Sequence, residues 1–331
     1  MESIKIDKAN ALYDERIHAL GGDCITIFTP TYNRSGLLMR VYECLKEQSN
    51  NRFVWLVVCD GSTDDTDEKM MRLVDESGIP LRYVSKGNGG KHTALKLGME
   101  VTETKYFCDC DDDDTYTPDM VDFFLKVWSQ IESEGRDDIG AVRSLTQNVE
   151  GKIVCGYDFD LNEMGRQFDA TTLEMEYVRY QHQENQTCYS TKALRSVDIW
   201  PTDYWLSNHH TFLSEGIWQG RLARKYKCRY VYKVTRMYNE TTEGLMRGKM
   251  DHQRAINTFL NYHMLLNEQW DYISRNKRKL LKQIGIMGAF RSFAGISVFE
   301  QMGHIIPFSL KCWTLMAAPF CYLLCKIKLR G

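Results

Sequence analysis

The sequence predicts an α/β protein with a mostly parallel central sheet flanked by helices and a helical C-terminal extension. Three observations predict it. Short, largely apolar runs at 24–29 (CITIFT), 53–59 (FVWLVVC), 81–84 (LRYV) and 106–110 (YFCDC) each give way to a stretch with helical spacing. Strands of that kind, alternating with helices, mark a parallel sheet covered on both faces. The distinctive loops, 29–33, 60–64, 87–91 and 111–114, all follow strands, so they gather at the carboxyl ends, where such sheets bind ligands. Finally, the strand pattern weakens past residue 150 and gives way near 255 to a long amphipathic helix.

Each element follows from its residues. Residues 1–22 are polar and mixed in charge, without an apolar run, so they read as a lead-in and not as a signal peptide. Strand 24–29 lies between Gly21–Gly22 and Pro30, and the next helix carries Leu37, Leu38, Val41, Tyr42 and Leu45, with Ser35 as its cap. Strand 53–59 leads through Asp60-Gly61-Ser62-Thr63-Asp64 to a helix with Met70, Leu73 and Val74. Strand 81–84 leads through Gly87-Asn88-Gly89-Gly90 to a helix with Ala94, Leu95, Leu97 and Met99. Strand 106–110 runs into Asp111, Asp112, Asp113 and Asp114, a turn closed by Pro118, a helix over 120–131 and a strand at 139–145. Beyond it we expect a hairpin strand at 152–157, a short helix at 172–180 and a strand at 185–191. A helix follows with Trp218, Leu222 and Tyr226 on one face and Glu215 at its start, then a strand at 229–234 and a polar loop at 238–247 suited to covering a substrate. The expected divisions are a lead-in at 1–23, a main domain at 24–248 and a basic, apolar extension at 249–331.

With 331 residues and a net charge of -2, the chain has a full core and no bias toward nucleic acid. Its cysteines, among them Cys24, Cys44, Cys59, Cys108, Cys110 and Cys155, fall singly in apolar runs without zinc spacing, as expected of reduced thiols in a cytosolic protein. From Lys277 onward many basic residues face one acid, Glu300, and 305–325 is apolar but for Ser309, Lys311 and Thr314, with Pro307 and Pro319 inside. About 20 apolar residues are needed to span a bilayer. This stretch therefore reads either as a helix or hairpin in the interface, drawn to anionic lipid, or as a buried helix pair.

Four adjacent carboxylates repel one another, so the run at 111–114 is either a solvated turn or a site for a hard divalent cation that holds a diphosphate. In order, TPTYNR, VVCDGSTDDT, GNGGKHTAL and the Asp cluster with TPD resemble the family 2 glycosyltransferases of the GT-A fold, over roughly the first 145 residues and more weakly over the next hundred. The resemblance implies a nucleotide-sugar half at 24–145 and an acceptor half at 146–248. It places Thr29, Pro30 and Tyr32 on the first nucleotide-contacting loop, Asp60 at the base and Lys91 near the nucleotide. Cys59 stands where the family usually has a first acid. Counting back from Pro118, the family's Asp-x-Asp-Asp pattern selects Asp111, Asp113 and Asp114, with Asp113 and Asp111 on Mn2+ or Mg2+; Asp109 with Asp111 is the competing frame. Glu215 falls where the family has its catalytic base, with Asp203 and Glu184 as alternatives, and His209 and His210 either line the acceptor cleft or form a surface pair. The activity so implied is inverting transfer of a hexose or N-acetylhexosamine from a UDP-sugar to a glycan or lipid-linked acceptor in surface polysaccharide synthesis, in the cytoplasm or on the inner face of the cell membrane. A sugar nucleotidyltransferase and a non-catalytic nucleotide- or glycan-binding protein are the rivals.

Overall fold

In the computed structural model, which describes residues 6–154, 167–179, 184–199, 213–239 and 251–328 (side chains through 321), ten strands form one sheet. The chain runs β1 (Ile6–Ala9), α1 (Ala11–Leu20), β2 (Ile25–Thr31), α2 (Ser35–Lys46), β3 (Phe53–Cys59), α3 (Thr66–Glu76), β4 (Leu81–Ser85), α4 (Lys91–Val101) and β5 (Tyr106–Asp109). It continues through β6 (Thr115–Tyr116), α5 (Met120–Ser133), β7 (Ile139–Asn148), β8 (Gln167–Ala170), a π-helical turn (Glu174–Val178), β9 (Asn185–Ser190), α6 (Thr191–Arg195), α7 (Glu215–Ala223) and β10 (Lys227–Tyr238). Five helices follow: α8 (His252–Glu268), α9 (Trp270–Ile273), α10 (Lys277–Phe293), α11 (Val298–Gly303) and α12 (Phe308–Lys328).

The strand order is β1-β4-β3-β2-β5-β9-β7-β10-β6, with β8 also on β10. Strands β4, β3, β2 and β5 are parallel, as expected of strands in which every residue of β2 and β3 is buried. One face packs Ile25, Ile27, Trp55 and Val57 against Leu38 and Val41 of α2 and Phe124 and Trp128 of α5. Strand β9 lies antiparallel between β5 and β7, through Cys108↔Cys188 and Val142↔Cys188. Beyond it, β7 and β10 are parallel again, and β6 and β8 are antiparallel to β10.

Several expectations shift. Strand β2 does not stop at Thr29 but continues through Pro30 to Thr31, paired with Val58 and Cys59. The missing N–H of Pro30 falls on the β5 side, where pairing has ended at Phe28↔Asp109, so the proline costs no ladder bond. Ser35 is the first helical residue, not the cap of α2. Tyr226 lies past the end of α7, so it does not share the helix face of the buried Trp218 and Leu222. The short helix expected at 172–180 is largely the π-helical turn, and residues 155–157 lie outside the described residues. The lead-in is structured: β1 pairs antiparallel with β4 at the sheet edge, and α1 is capped by Asn10, whose carboxamide also accepts from Leu81 N.

The chain divides into two compact units: residues 1–176, 180–197 and 222–241, which carry the sheet, and residues 177–179, 198–221 and 242–331. In the second unit, Leu280, Ile284 and Met287 of α10 are buried, as are Leu310, Thr314 and Cys321 of α12, and the Cys321 thiol points at Ile284 O. Among the described residues, no helix is long and apolar enough to cross a membrane.

Candidate active site

The loops at the carboxyl edge of the parallel strands are tied to one another. Asn33, with φ 54°, turns its Oδ1 to accept from Thr63 N at 2.7 Å, while its own N–H donates to Ser62 Oγ. Gly61 adopts φ +76° where a Cβ would sit 2.6 Å from Asn88 N, so this loop meets the glycine loop only as glycine. Of the three residues expected on the first loop, only Tyr32 is open to solvent, at 47%. Pro30 is inside the strand, and the hydroxyl of Thr29 accepts from Trp55 Nε1 in the core.

Asp60 is buried, and its carboxylate accepts from Lys86 Nζ at 2.6 Å, Gly89 N at 3.0 Å and Gly90 N at 2.7 Å. Lys86 is itself 1% exposed and also donates to Gly87 O and Thr93 Oγ1. This pair fixes the glycine loop, and the sequence reading did not anticipate Lys86. Lys91, expected near the nucleotide, reaches Asp111 at 2.6 Å. It is the first residue of α4, whose start behind Gly90 carries no side-chain cap.

The acidic run sits among three cations. Arg34 Nη1 donates to Asp112 Oδ1 and Asp113 Oδ2, both at 3.0 Å, and Thr31 Oγ1 donates to Asp112 Oδ2. Arg236 of β10 binds Asp114, which also accepts from Asn239 N at 3.1 Å, and lies 3.8 Å from Asp111. Burial drives the carboxyls of Asp112 and Asp114 up to about 6, against the pull of Arg34 and Arg236 respectively. Packing around Asp111 also disfavours its charge, yet Lys91 and Arg236 outweigh this and hold it at about 2.

Carboxylate oxygens of Asp111, Asp113 and Asp114 lie within 4.8 Å of one another, and Asp109 is not in this group. The side chains of Asp111 and Asp113 are 30% and 22% exposed, whereas that of Asp114 is closed off beneath Arg236. Two partly exposed carboxylates are hard oxygen donors of the kind that suit Mg2+ or Mn2+. Arg34 and Arg236 were not singled out from sequence. Arg236 lies 122 residues from its partner, beyond any local pattern.

Glu215 is the first residue of α7 and half-buried, next to Ser214, whose N–H donates to Asn261. Glu184 is exposed just before β9. Asp203, His209, His210 and residues 240–247 lie outside the described residues.

A glycine loop, a helix start without a side-chain cap and a partly exposed acidic pair at the carboxyl edge of parallel strands make a site of the kind at which α/β proteins bind phosphorylated ligands. The family model for glycosyl transferase family 2 matches residues 26–199, and the chain belongs to that family. An uncharacterized glycosyltransferase of Rickettsia prowazekii is 23% identical over 86% of this chain and 83% of its own length. Another, from Rickettsia felis, is 29% identical over 36% of this chain, which spans only 19% of that protein. The chondroitin synthase of Pasteurella multocida is 26% identical over 78% of this chain and 25% of its own length. Among solved structures, S. aureus TarS 1–349 in complex with UDP-GlcNAc superposes with a TM-score of 0.59 at 14% identity, covering 90% of this chain and 89% of that one. That likeness is one of fold, and it agrees with the GT-A architecture of a sheet flanked by helices.

Proposed function

We propose that the protein is an inverting glycosyltransferase that moves a hexose or N-acetylhexosamine from a UDP-sugar to a glycan or lipid-linked saccharide in surface polysaccharide synthesis. One observation carries the reading: the glycine loop anchored by Asp60 and the reachable pair Asp111 and Asp113 stand at one edge of the same sheet. UDP as the nucleotide draws support from the UDP-GlcNAc held by TarS, and a polysaccharide product from the chondroitin synthase among the relatives.

Asp113 and Asp111 would hold the divalent cation, which would supply positive charge to offset what builds on the leaving diphosphate. The start of α4, which has no side-chain cap, would favour the same diphosphate through its dipole, and Lys91, on that first turn, would leave Asp111 to meet it. Tyr32 offers an exposed ring to the nucleotide, and Asp60 holds the loop that shapes its pocket while keeping an acceptor position for the base. Glu215 takes the proton from the acceptor hydroxyl, so that the oxygen attacks the anomeric carbon from the face opposite the diphosphate and inverts it. A carboxylate apart from the cation suits that task, because metal binding lowers a ligand's basicity. We place the enzyme in the cytoplasm, at the inner face of the cell membrane, where lipid-linked acceptors lie.

A panel of nucleotide sugars, read by release of UDP or GDP with and without Mn2+, tests this reading. UDP release that needs the metal and is lost by orders of magnitude in Asp113→Asn is expected. Equal turnover in chelator sinks it.

A further inference from the structure

Helix α12 presents two unlike faces. Leu310, Thr314 and Cys321 are buried toward the rest of the second unit. On the other side stand Phe308, Leu315, Met316 and Phe320, exposed by 80%, 45%, 59% and 70%, with the exposed Cys312 between them. Positions 308, 312, 315, 316 and 320 recur at helical spacing, so they form one stripe. At 150–250 Å² for a large side chain this is roughly 500 Å² of apolar surface on one helix face, at the upper end of what monomeric proteins leave open. Phe299 of α11 and Ile306 before α12 add two more side chains, more than 80% exposed.

Charge decides what covers it. Lys277, Arg278 and Lys282 are exposed on α10, Lys311 lies on the first turn of α12, and among the described residues none of the four is in an ion pair. From Lys277 to the C-terminus the only acid is Glu300. Two copies of so basic a surface repel each other, whereas an anionic lipid surface attracts both the cations and the apolar stripe. The buried face of α12 is held against protein, so the helix cannot be surrounded by lipid, and no described helix is suited to span.

We infer that α12 is an interfacial helix: it lies in the plane of an anionic bilayer, with Phe308, Leu315, Met316 and Phe320 in the acyl boundary and the α10 cations over the headgroups. This deepens the membrane placement proposed above and is independent of the donor chemistry. The full-length protein is sedimented with vesicles of phosphatidylcholine alone or with three parts in ten phosphatidylglycerol, and UDP release is measured on the same samples. Wild-type protein should partition at least tenfold more strongly onto the anionic vesicles, and less so in high salt. Phe308→Ser with Leu315→Ser and Phe320→Ser should lose tenfold or more of that binding, with circular dichroism and UDP release unchanged. Lys277→Gln with Arg278→Gln and Lys282→Gln should lose only the anionic preference. Wild-type protein that stays in the supernatant, or serine variants that bind as well as the parent, overturn the inference. So does a dimer in sedimentation velocity that the serine substitutions dissolve without any vesicle binding, which makes a second copy the occupant. Vesicle binding without nucleotide turnover leaves this inference standing and counts against the proposed activity alone.

Discussion

Lys86→Met removes the cation of a buried pair and leaves Asp60 facing only the amides of Gly89 and Gly90. Methionine keeps most of the volume, so the loss is electrostatic and not a cavity. Removing one partner of a buried ion pair costs about 3–5 kcal/mol. The two amides still satisfy part of the carboxylate, which puts the expected cost at the lower end, about 3 kcal/mol, a large share of a typical total of about 5–15 kcal/mol. Lys86 also binds Gly87 O and Thr93 Oγ1, so the loop before α4 loosens and UDP affinity falls with stability. Urea unfolding of the parent, Lys86→Met, Asp60→Asn and the double variant gives the cycle. The two single costs should exceed the double by about 2 kcal/mol or more, since groups in direct contact do not add. Costs below 1 kcal/mol for Lys86→Met, or an additive cycle, refute the idea that this pair holds the glycine loop.

Glu215→Gln should lose about 10²- to 10⁴-fold in kcat and keep the parental UDP affinity, both measured by coupled UDP release and calorimetry; near-parental transfer removes it as the base. Lys91→Met frees Asp111 from its ion pair at 2.6 Å, so Mn2+ followed by electron paramagnetic resonance should bind the nucleotide-free protein about tenfold more tightly, while UDP affinity drops. Burial of His263, followed by the nearby His304, lowers its imidazole from 6.5 to about 4. The unfolded chain therefore takes up this proton first as the pH falls, and the native state loses stability between pH 6.5 and 4, by up to about 3 kcal/mol, with no such loss above 6.5. His263→Gln should flatten that part of the stability profile in urea titrations at pH 7, 5.5 and 4.5, and an unchanged slope counts against it.

The repeating strand and helix units were legible because β2 and β3 are buried on both faces, which leaves short, unbroken apolar runs between turn signals. The loops were legible for the same reason, each lying where such a run stops. Thr29 lies within β2 and not on the loop, and counting by twos along that strand puts it with Ile25 and Ile27 on the core face. The lead-in gave no signal, since an edge strand is half exposed and α1 buries only Tyr13. For the acidic run, the residue types suggested a cation site, but its neutralisation by Arg34, Lys91 and Arg236 depends on three separate loops and strands. Lys86 follows β4, whose Arg82 and Ser85 are already polar, so neither it nor Arg236 carried a mark in the sequence.

The place of β9 between β5 and β7 sets an order of events during synthesis. Strand β5 leaves the ribosome with one edge filled by β2, and its other partner is made only after β7 and β8. Through that interval the nascent sheet ends in an open edge, the kind that pairs with other chains. Asp114 waits longer still, because Arg236 and Asn239 come from the far end of β10. Long-range pairing of this sort is slow, so the parallel strands assemble early and the acidic edge becomes rigid last. A nascent chain stalled before β10 presents the parallel strands already paired while Asp114 still lacks its arginine, a species folded in much of its sheet and unfinished at its acidic edge.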